Sequence, residues 1–97
     1  MPKTLRRPYK KTALRSRPQV KQVLYETFRR EFPSDTVDVS DGYKGNIHVV
    51  VVSRRFDRMD EREKPAFMWR IIDRTELSDD EKSLVSLVLP LSPQELK

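Results

Sequence analysis

Basic side chains are concentrated at the start of this 97-residue chain, and their type and spacing suit the binding of anions. The first 21 residues contain no acidic group. The whole chain has 20 basic and 15 acidic residues, so everything after residue 21 is net acidic and the overall charge of +5 comes from this start. Runs of this kind favour polyanions, above all the phosphates of RNA or DNA. The eight basic residues are Lys3, Arg6, Arg7, Lys10, Lys11, Arg15, Arg17 and Lys21.

A second basic group follows the apolar run at residues 47–52. The carboxyl ends of strands are favoured positions for ligands. We therefore expect a basic loop here that holds a nucleic-acid backbone. Phosphate contacts position a protein without identifying bases, so little sequence preference is expected. The residues of this group are Arg54, Arg55, Arg58 and Lys64.

Catalysis is not expected, because the carboxylates of this chain are interleaved with lysine and arginine side chains. Asp57, Asp60, Glu61 and Glu63 alternate with basic neighbours, a pattern typical of salt bridges on a solvated surface. The chain has no cysteine and a single histidine, His48. We expect no cofactor and no metal site, with His48 as the one imidazole that could assist a metal.

The basic start is also compatible with two other interpretations. It could be a solvated tail that aids solubility, or a transit peptide for organelle import, since such peptides are rich in arginine and poor in acids. Its prolines and lysines argue against an amphipathic targeting helix, so we expect a cytoplasmic protein. No apolar run approaches the length of a membrane span, and no membrane partner is expected.

Periodicity places these residues on a small set of elements. Apolar residues recur at helical spacing after Pro18, and four consecutive valines, with their β-branched side chains, favour a central strand buried on both faces. Asp60 with Glu63 and Ser78 with Glu81 have the spacing of capping boxes. The predicted elements are helices at 18–32, 61–74 and 79–83 and strands at 36–40, 47–52 and 84–89, with a closing tail at 92–97.

This order predicts an α+β fold, an αββααβ sandwich whose three-stranded mixed sheet carries helices on one side. The glycine-containing loop at 41–45 makes the first two strands antiparallel, and the helical crossover makes the last two parallel. Trp69 is expected in the core rather than as a platform for bases. We expect a flexible arm at 1–17 and one domain at 18–97.

Four motifs in this order resemble the BolA-like family. They are a first helix ending in Phe32-Pro33, a histidine-led strand from His48 to Phe56, Met68-Trp69 on the second helix, and a closing Ser-Pro-Gln-Glu-Leu at 92–96. The resemblance covers roughly residues 19–96. It implies a fold related to the type II KH domain, and either regulation linked to nucleic acid or partnership with monothiol glutaredoxins in iron–sulfur trafficking.

Two positions depart from the family pattern. Lys64-Pro65-Ala66 stands where the family has Arg-His-Arg, and Leu84 stands where the family has a histidine that binds iron. The GXXG loop by which KH domains clamp nucleic acid is also missing. We therefore expect a non-enzymatic, BolA-like regulatory protein that binds RNA or DNA. The alternatives are a glutaredoxin-type interaction module that binds no nucleic acid, and a small ribosome- or RNP-associated protein.

Overall fold

The computed structural model describes residues 14–96 and shows a three-stranded sheet with helices on one face. This confirms the predicted α+β fold and its αββααβ order. Three short 3₁₀ turns, at Tyr43–Gly45, Arg54–Arg58 and Pro93–Leu96, join or end the main elements. Those elements are α1 (Arg17–Glu31), β1 (Thr36–Asp41), β2 (Ile47–Val52), α2 (Glu63–Asp73), α3 (Asp79–Lys82) and β3 (Val85–Leu91).

Helix α1 begins earlier than the sequence predicted. Ser16 is its N-cap and forms a capping box with Gln19, in which each side chain accepts a hydrogen bond from the other residue's backbone N–H. The folded domain therefore includes residues that had been assigned to the flexible arm at 1–17. The helix ends at Glu31, just before Pro33, and buries the apolar face formed by Val20, Leu24 and Phe28.

The sheet has the order β1-β2-β3, as predicted. β1 and β2 are antiparallel, with Val39 opposite Val49. β2 and β3 are parallel, with Val49 opposite Val88 and a register shift at Ile47/His48. The short connection through Tyr43–Gly45 needs left-handed backbone at Lys44 (φ 55°) and Gly45 (φ 82°), and glycine supplies this conformation without strain at the second position.

The expectation that β2 is buried on both faces is wrong. Ile47, Val49 and Val51 are fully buried under the helices, whereas the alternate residues of the strand are only half-buried. All the helices lie on one face, so the other remains open among the described residues. We call it the open face; on β2 and β3 it consists of His48, Val50, Val52, Leu87, Leu89 and Leu91.

Strand β3 runs to Leu91 and so continues through Pro90, where the sequence predicted an end at residue 89. Proline is tolerated in edge strands at positions where its missing N–H would face away from the neighbouring strand. Because β3 lies at one edge of the sheet, Pro90 removes no hydrogen bond that β2 requires.

The predicted capping box of the third helix is confirmed, and Asp60 and Glu63 form the same reciprocal pair of hydrogen bonds in the turn just before α2, whose N-cap is Arg62. The Asp60 carboxylate accepts from the backbone N–H of Glu63 at 2.8 Å, and Glu63 accepts from that of Asp60 at 2.9 Å. Ser78 and Glu81 make the equivalent pair at α3. Trp69 is half-buried against the core, as expected. Within residues 14–96, no helix has the length and apolar content needed to cross a membrane.

Candidate nucleic-acid interface

The structure describes seven of the twelve basic residues predicted to bind nucleic acid and divides six of them between the two ends of β2. Five, namely Lys3, Arg6, Arg7, Lys10 and Lys11, lie outside the described residues. Arg15, Arg17 and Lys21 lie where β2 begins, and Arg54, Arg55 and Arg58 lie just after it stops. Six strand residues separate the two groups by about 20 Å. The six residues therefore do not form one continuous surface.

Arg15 is partly exposed, but its charge is engaged by two carboxylates, one of which, Glu81, is buried. Glu81 is only 2% exposed. It accepts a hydrogen bond from the Arg15 backbone N–H at 2.6 Å and another from the Arg15 guanidinium at 3.0 Å. Together with the Ser78 N–H, the Arg15 backbone bond lowers the pKa of Glu81. Its guanidinium also bonds Glu76 at 2.6 Å, and these contacts fix the start of α1 onto α3. Arg15 therefore stays a predicted binding residue whose charge is already engaged.

Arg17 and Lys21 share one carboxylate at the end of β1. The Asp41 side chain is 3.1 Å from Lys21 Nζ and 3.4 Å from Arg17 Nε. The hydrogen bond from Lys21 lowers the pKa of Asp41. Arg17 and Asp41 are about half exposed, and such surface pairs are weak. Arg17 and Lys21 could therefore exchange this carboxylate for a phosphate at low cost.

Arg55 connects the turn after β2 to the end of α1. Its guanidinium lies over the rings of Phe32 and Phe67, at 4.6 and 5.2 Å from their centroids. It also donates to the Glu31 carbonyl at 2.8 Å and to the Glu31 carboxylate at 2.9 Å. Arg55 is thus held by a cation–π stack and an ion pair, which fix the turn after β2 against the end of α1.

Lys64 was also predicted to bind nucleic acid, and in the structure its charge is engaged by two carboxylates. The residue is 6% exposed, and its ammonium lies between Glu61 at 3.1 Å and Glu95 at 3.3 Å. The bond to Glu61, followed by that to Glu95, raises the pKa of Lys64. Glu95 accepts from the Ser92 N–H, and this bond, ahead of the Lys64 bond, lowers the pKa of Glu95. Lys64 therefore fastens the C-terminal turn to α2.

Arg54 and Arg58 are the predicted loop residues that the structure leaves available. Both are exposed, and neither makes an ion pair with a residue in 14–96. Arg54 lines a depression with Asp57, Pro93 and Gln94, at the end of the sheet where β3 also stops. The expected salt bridges among the interleaved charges are mostly absent from the described residues, because the Asp60 and Glu63 carboxylates accept from each other's backbone N–H groups instead.

Two further arginines could contribute, and sequence reasoning missed them. Arg62 and Arg70 line an open groove of 540 Å³ along the first turns of α2, together with Met59 and Ala66. Their separation of eight residues corresponds to about two helical turns, which was the available signal. Asp60 and Glu63 also line the groove, so it offers little net positive charge.

His48 has a structural position on the open face. Its imidazole packs so closely against Gly42 that any Cβ at that position would collide with the ring. In the part of the chain that the structure describes, no three His, Asp or Glu side chains are grouped to hold a metal ion. Leu84, at the family's iron-ligand position, is half-buried, and its carbonyl accepts from the Ile47 N–H at 2.8 Å.

Comparisons of this chain with protein-family models, curated proteins and solved structures found no match. The BolA-like resemblance therefore stays a prediction that depends on the four sequence motifs. The αββααβ order of the structure is the order that the resemblance implies.

Proposed function

We propose that this chain is a small, non-enzymatic, BolA-like binding protein that holds the sugar–phosphate backbone of RNA or DNA through residues 1–13. One observation carries the proposal: this stretch has five basic residues and no acid, and it precedes a domain whose own charges are nearly balanced. Arg54 and Arg58 are the described residues best placed to add contacts. A small RNP component would use the same surfaces.

The ion pairs of the domain support this assignment of the binding residues. Arg15, Arg55 and Lys64 are engaged by carboxylates, and moving any of them to a phosphate would leave a partner such as Glu81 unpaired. The five basic residues before residue 14 together with Arg54 and Arg58 would neutralise about seven phosphates. On duplex DNA the log–log salt slope is then about −6.

The test compares the full chain with a variant that keeps its length. Lys3, Arg6, Arg7, Lys10 and Lys11 are all changed to Gln, and binding to labelled RNA and DNA is measured at several salt concentrations. The variant should lose most of its affinity, and its log–log salt slope should become less negative, from about −6 to about −2. Its thermal midpoint should not change. The matched control, Arg30→Gln with Arg74→Gln, removes exposed charge from the helical side and should leave the slope nearly unchanged.

Two results would overturn the proposal. Equal affinity of the full chain and the five-fold variant would move the binding site away from residues 1–13. Absence of affinity in both would leave the solubility tail as the interpretation of this stretch.

A second candidate, an interaction module of the glutaredoxin type, is favoured by the partly exposed apolar side chains of the open face. The donor set of this chain argues against a cluster role, because Leu84 supplies no ligand atom from its side chain. Mixing the protein with a monothiol glutaredoxin under reconstitution conditions tests this candidate. We expect no shifted visible spectrum for the natural chain, and Leu84→His is the variant that could gain one.

A further inference from the structure

Strand β3 has a free and unprotected edge. It lies at one side of the sheet, and no described residue pairs with its outer side. Its seven residues, Val85–Leu91, include no charged side chain, and two of its leucines are well exposed, Leu87 at 41% and Leu89 at 38%. Exposed apolar edge strands are sites where another strand adds, and proteins normally guard them with charges.

The outer hydrogen-bonding groups of β3 can be assigned from its bonds to β2. The Leu91 carbonyl accepts from the Ser53 N–H at 2.9 Å, so the peptide groups of Leu91 and Leu89 face β2. Those of Val88 and Pro90 then face outward, because the direction alternates along a strand. Val88 offers both a free N–H and a free C=O, while Pro90 offers a carbonyl alone.

We propose that β3 is a homodimerisation strand that pairs antiparallel with β3 of a second copy of this chain. A two-fold axis at Val88 satisfies the outward N–H and C=O of that residue in both copies. It also sets Leu87 of one copy against Leu89 of the other on the open face, as a non-hydrogen-bonded pair. The contact is isologous and brings no like charges together, so the edge is complementary to itself.

The opposite edge does not suit the same pairing. β1 carries Asp38 and Asp41, and an antiparallel pairing of two β1 strands would bring these acids close together. Pro90 and the short length of β3 limit the interface to well below the ~1,200 Å² of a standard complex. The dimer is therefore weak and forms in a concentration-dependent way.

Such a dimer would join the two basic ends of β2, and this consequence rests on the proposed function. In one chain, the start of α1 lies near the beginning of β3, because Arg15 bonds Glu81 of α3. Arg54 lies near the end of β3, beside Pro93. Antiparallel pairing sets the beginning of one β3 next to the end of the other. Arg17 and Lys21 of one copy would then lie at the same end of the dimer as Arg54 and Arg58 of the partner, where one nucleic-acid strand would contact both groups.

Sedimentation of the full chain over a range of concentrations tests the dimer. The natural chain should shift from monomer to dimer as concentration rises, while Leu87→Lys with Leu89→Lys should stay monomeric. The matched control, Thr36→Lys with Ser40→Lys on the open side of β1, should still dimerise. A natural chain that is monomeric throughout, or a control that loses the dimer equally, would overturn the proposal.

Disulfide trapping gives a second measurement that does not depend on how well the lysine variant folds. The chain has no cysteine, so Leu87→Cys with Leu89→Cys introduces the only thiols. These should form covalent dimers rapidly on mild oxidation, because opposed residues of a non-hydrogen-bonded pair are about 4.5 Å apart at Cα. Thr36→Cys with Asp38→Cys has the same spacing on β1 and should remain mostly monomeric. Equal trapping at both edges would contradict the assignment.

Nucleic-acid binding by the lysine variant separates this inference from the proposed function. The joined site predicts that the monomeric variant binds RNA more weakly, and with a smaller salt slope, than the dimeric Thr36→Lys with Ser40→Lys control, which adds the same two charges. Dimerisation with equal binding by the two would overturn the joined site and leave the dimer and the proposed function standing. Dimerisation without binding by either would contradict the proposed function and the joined site but not the dimer.

Discussion

Basic residues at the two ends of β2 are in different electrostatic states. Where the strand begins, Arg15 and Lys21 each bond a carboxylate from another element. Where it stops, Arg54 and Arg58 have no acidic partner within residues 14–96, although Arg55 between them is held firmly. The residue types are the same at both ends. The tertiary fold brings carboxylates to one end, and this determines which basic side chains remain available to a ligand.

The largest expected effect on stability comes from removing the interaction between Arg15 and Glu81, near the start of β2. Glu81→Gln keeps the shape of the side chain but removes the charge that Arg15 bonds. The free energy of unfolding should fall by about 2 kcal/mol, since a hydrogen bond to a buried charge is lost. Urea denaturation measures this fall. Glu76→Gln is the control: Glu76 is 72% exposed and its loss should change stability little. Equal effects from the two would show that burial of Glu81 does not matter.

Lowering the pH should progressively reduce the contribution of Glu81 to the stability of the fold. The pKa of Glu81 is lowered from 4.5 in the folded chain, so the unfolded chain binds more protons as the pH falls. Its stabilising contribution is therefore complete above about pH 4.5 and is lost as the pH drops through the lower folded pKa. Asp41 and Glu95 shift in the same direction. Unfolding measured from pH 7 to pH 2 should show a shallower acid decline for Glu81→Gln, and identical declines would refute this origin.

At high pH the free energy of unfolding should fall as the pH rises, because Lys64 then loses its proton. Its pKa is raised above 10.5 by Glu61 and Glu95, so its contribution is present below 10.5 and is lost as the pH rises through the folded pKa. Lys64→Met should remove this part of the alkaline decline, as followed by unfolding between pH 9 and pH 12. An unchanged decline in Lys64→Met would contradict the role of Lys64 in alkaline unfolding.

A smaller effect should separate two neighbours at the second end. Arg55→Ala removes the guanidinium that stacks over Phe32 and Phe67, and it should cost about 1 kcal/mol of stability. Arg54→Ala, one residue earlier, removes an exposed side chain and should leave stability within experimental error. Thermal unfolding of the two variants side by side checks this. Equal thermal midpoints for the two variants would show that Arg55 stabilises the fold no more than Arg54 does.

The smallest expected change is in the binding of nucleic acid by the second end alone. Arg54→Gln with Arg58→Gln should make the log–log salt slope on duplex DNA less negative by about 2, since two phosphate contacts are lost. Arg55→Gln is the matched control and should leave the slope unchanged, because its charge already faces Glu31. A slope altered equally by all three substitutions would indicate nonspecific loss of charge.

Local patterns in the sequence predicted most of the fold. The helical spacing after Pro18 and the capping boxes at Asp60 and Ser78 depend on residues a few positions apart, so the sequence displays them directly. The parallel pairing of β2 with β3 followed from the length of the crossover. The burial of both faces of β2 did not follow, because a run of valines indicates a strand but not whether a second layer covers it.

The candidate site was predicted less well because its ion pairs are distant in sequence. Arg15 and Glu81 are 66 positions apart, and Arg55 and Glu31 are 24 positions apart. No periodicity connects such residues, so all the basic groups looked equally available. Lys64 shows the same limit: the short spacing to Glu61 was visible, but the contact with Glu95 depends on where the C-terminal turn packs.

The crossover between β2 and β3 has a kinetic consequence. β1 and β2 are joined by a short turn and can pair early, whereas β3 can align only after the residues between positions 52 and 85 have come together. Closing the longer loop costs more chain entropy, so contacts of β3 should form late on the folding pathway. Val39→Ala should then slow refolding, while Val88→Ala should mainly accelerate unfolding in stopped-flow experiments. Strand β3, which is apolar and has no charged side chain, is therefore also the strand that stays unpaired for longest while the chain folds.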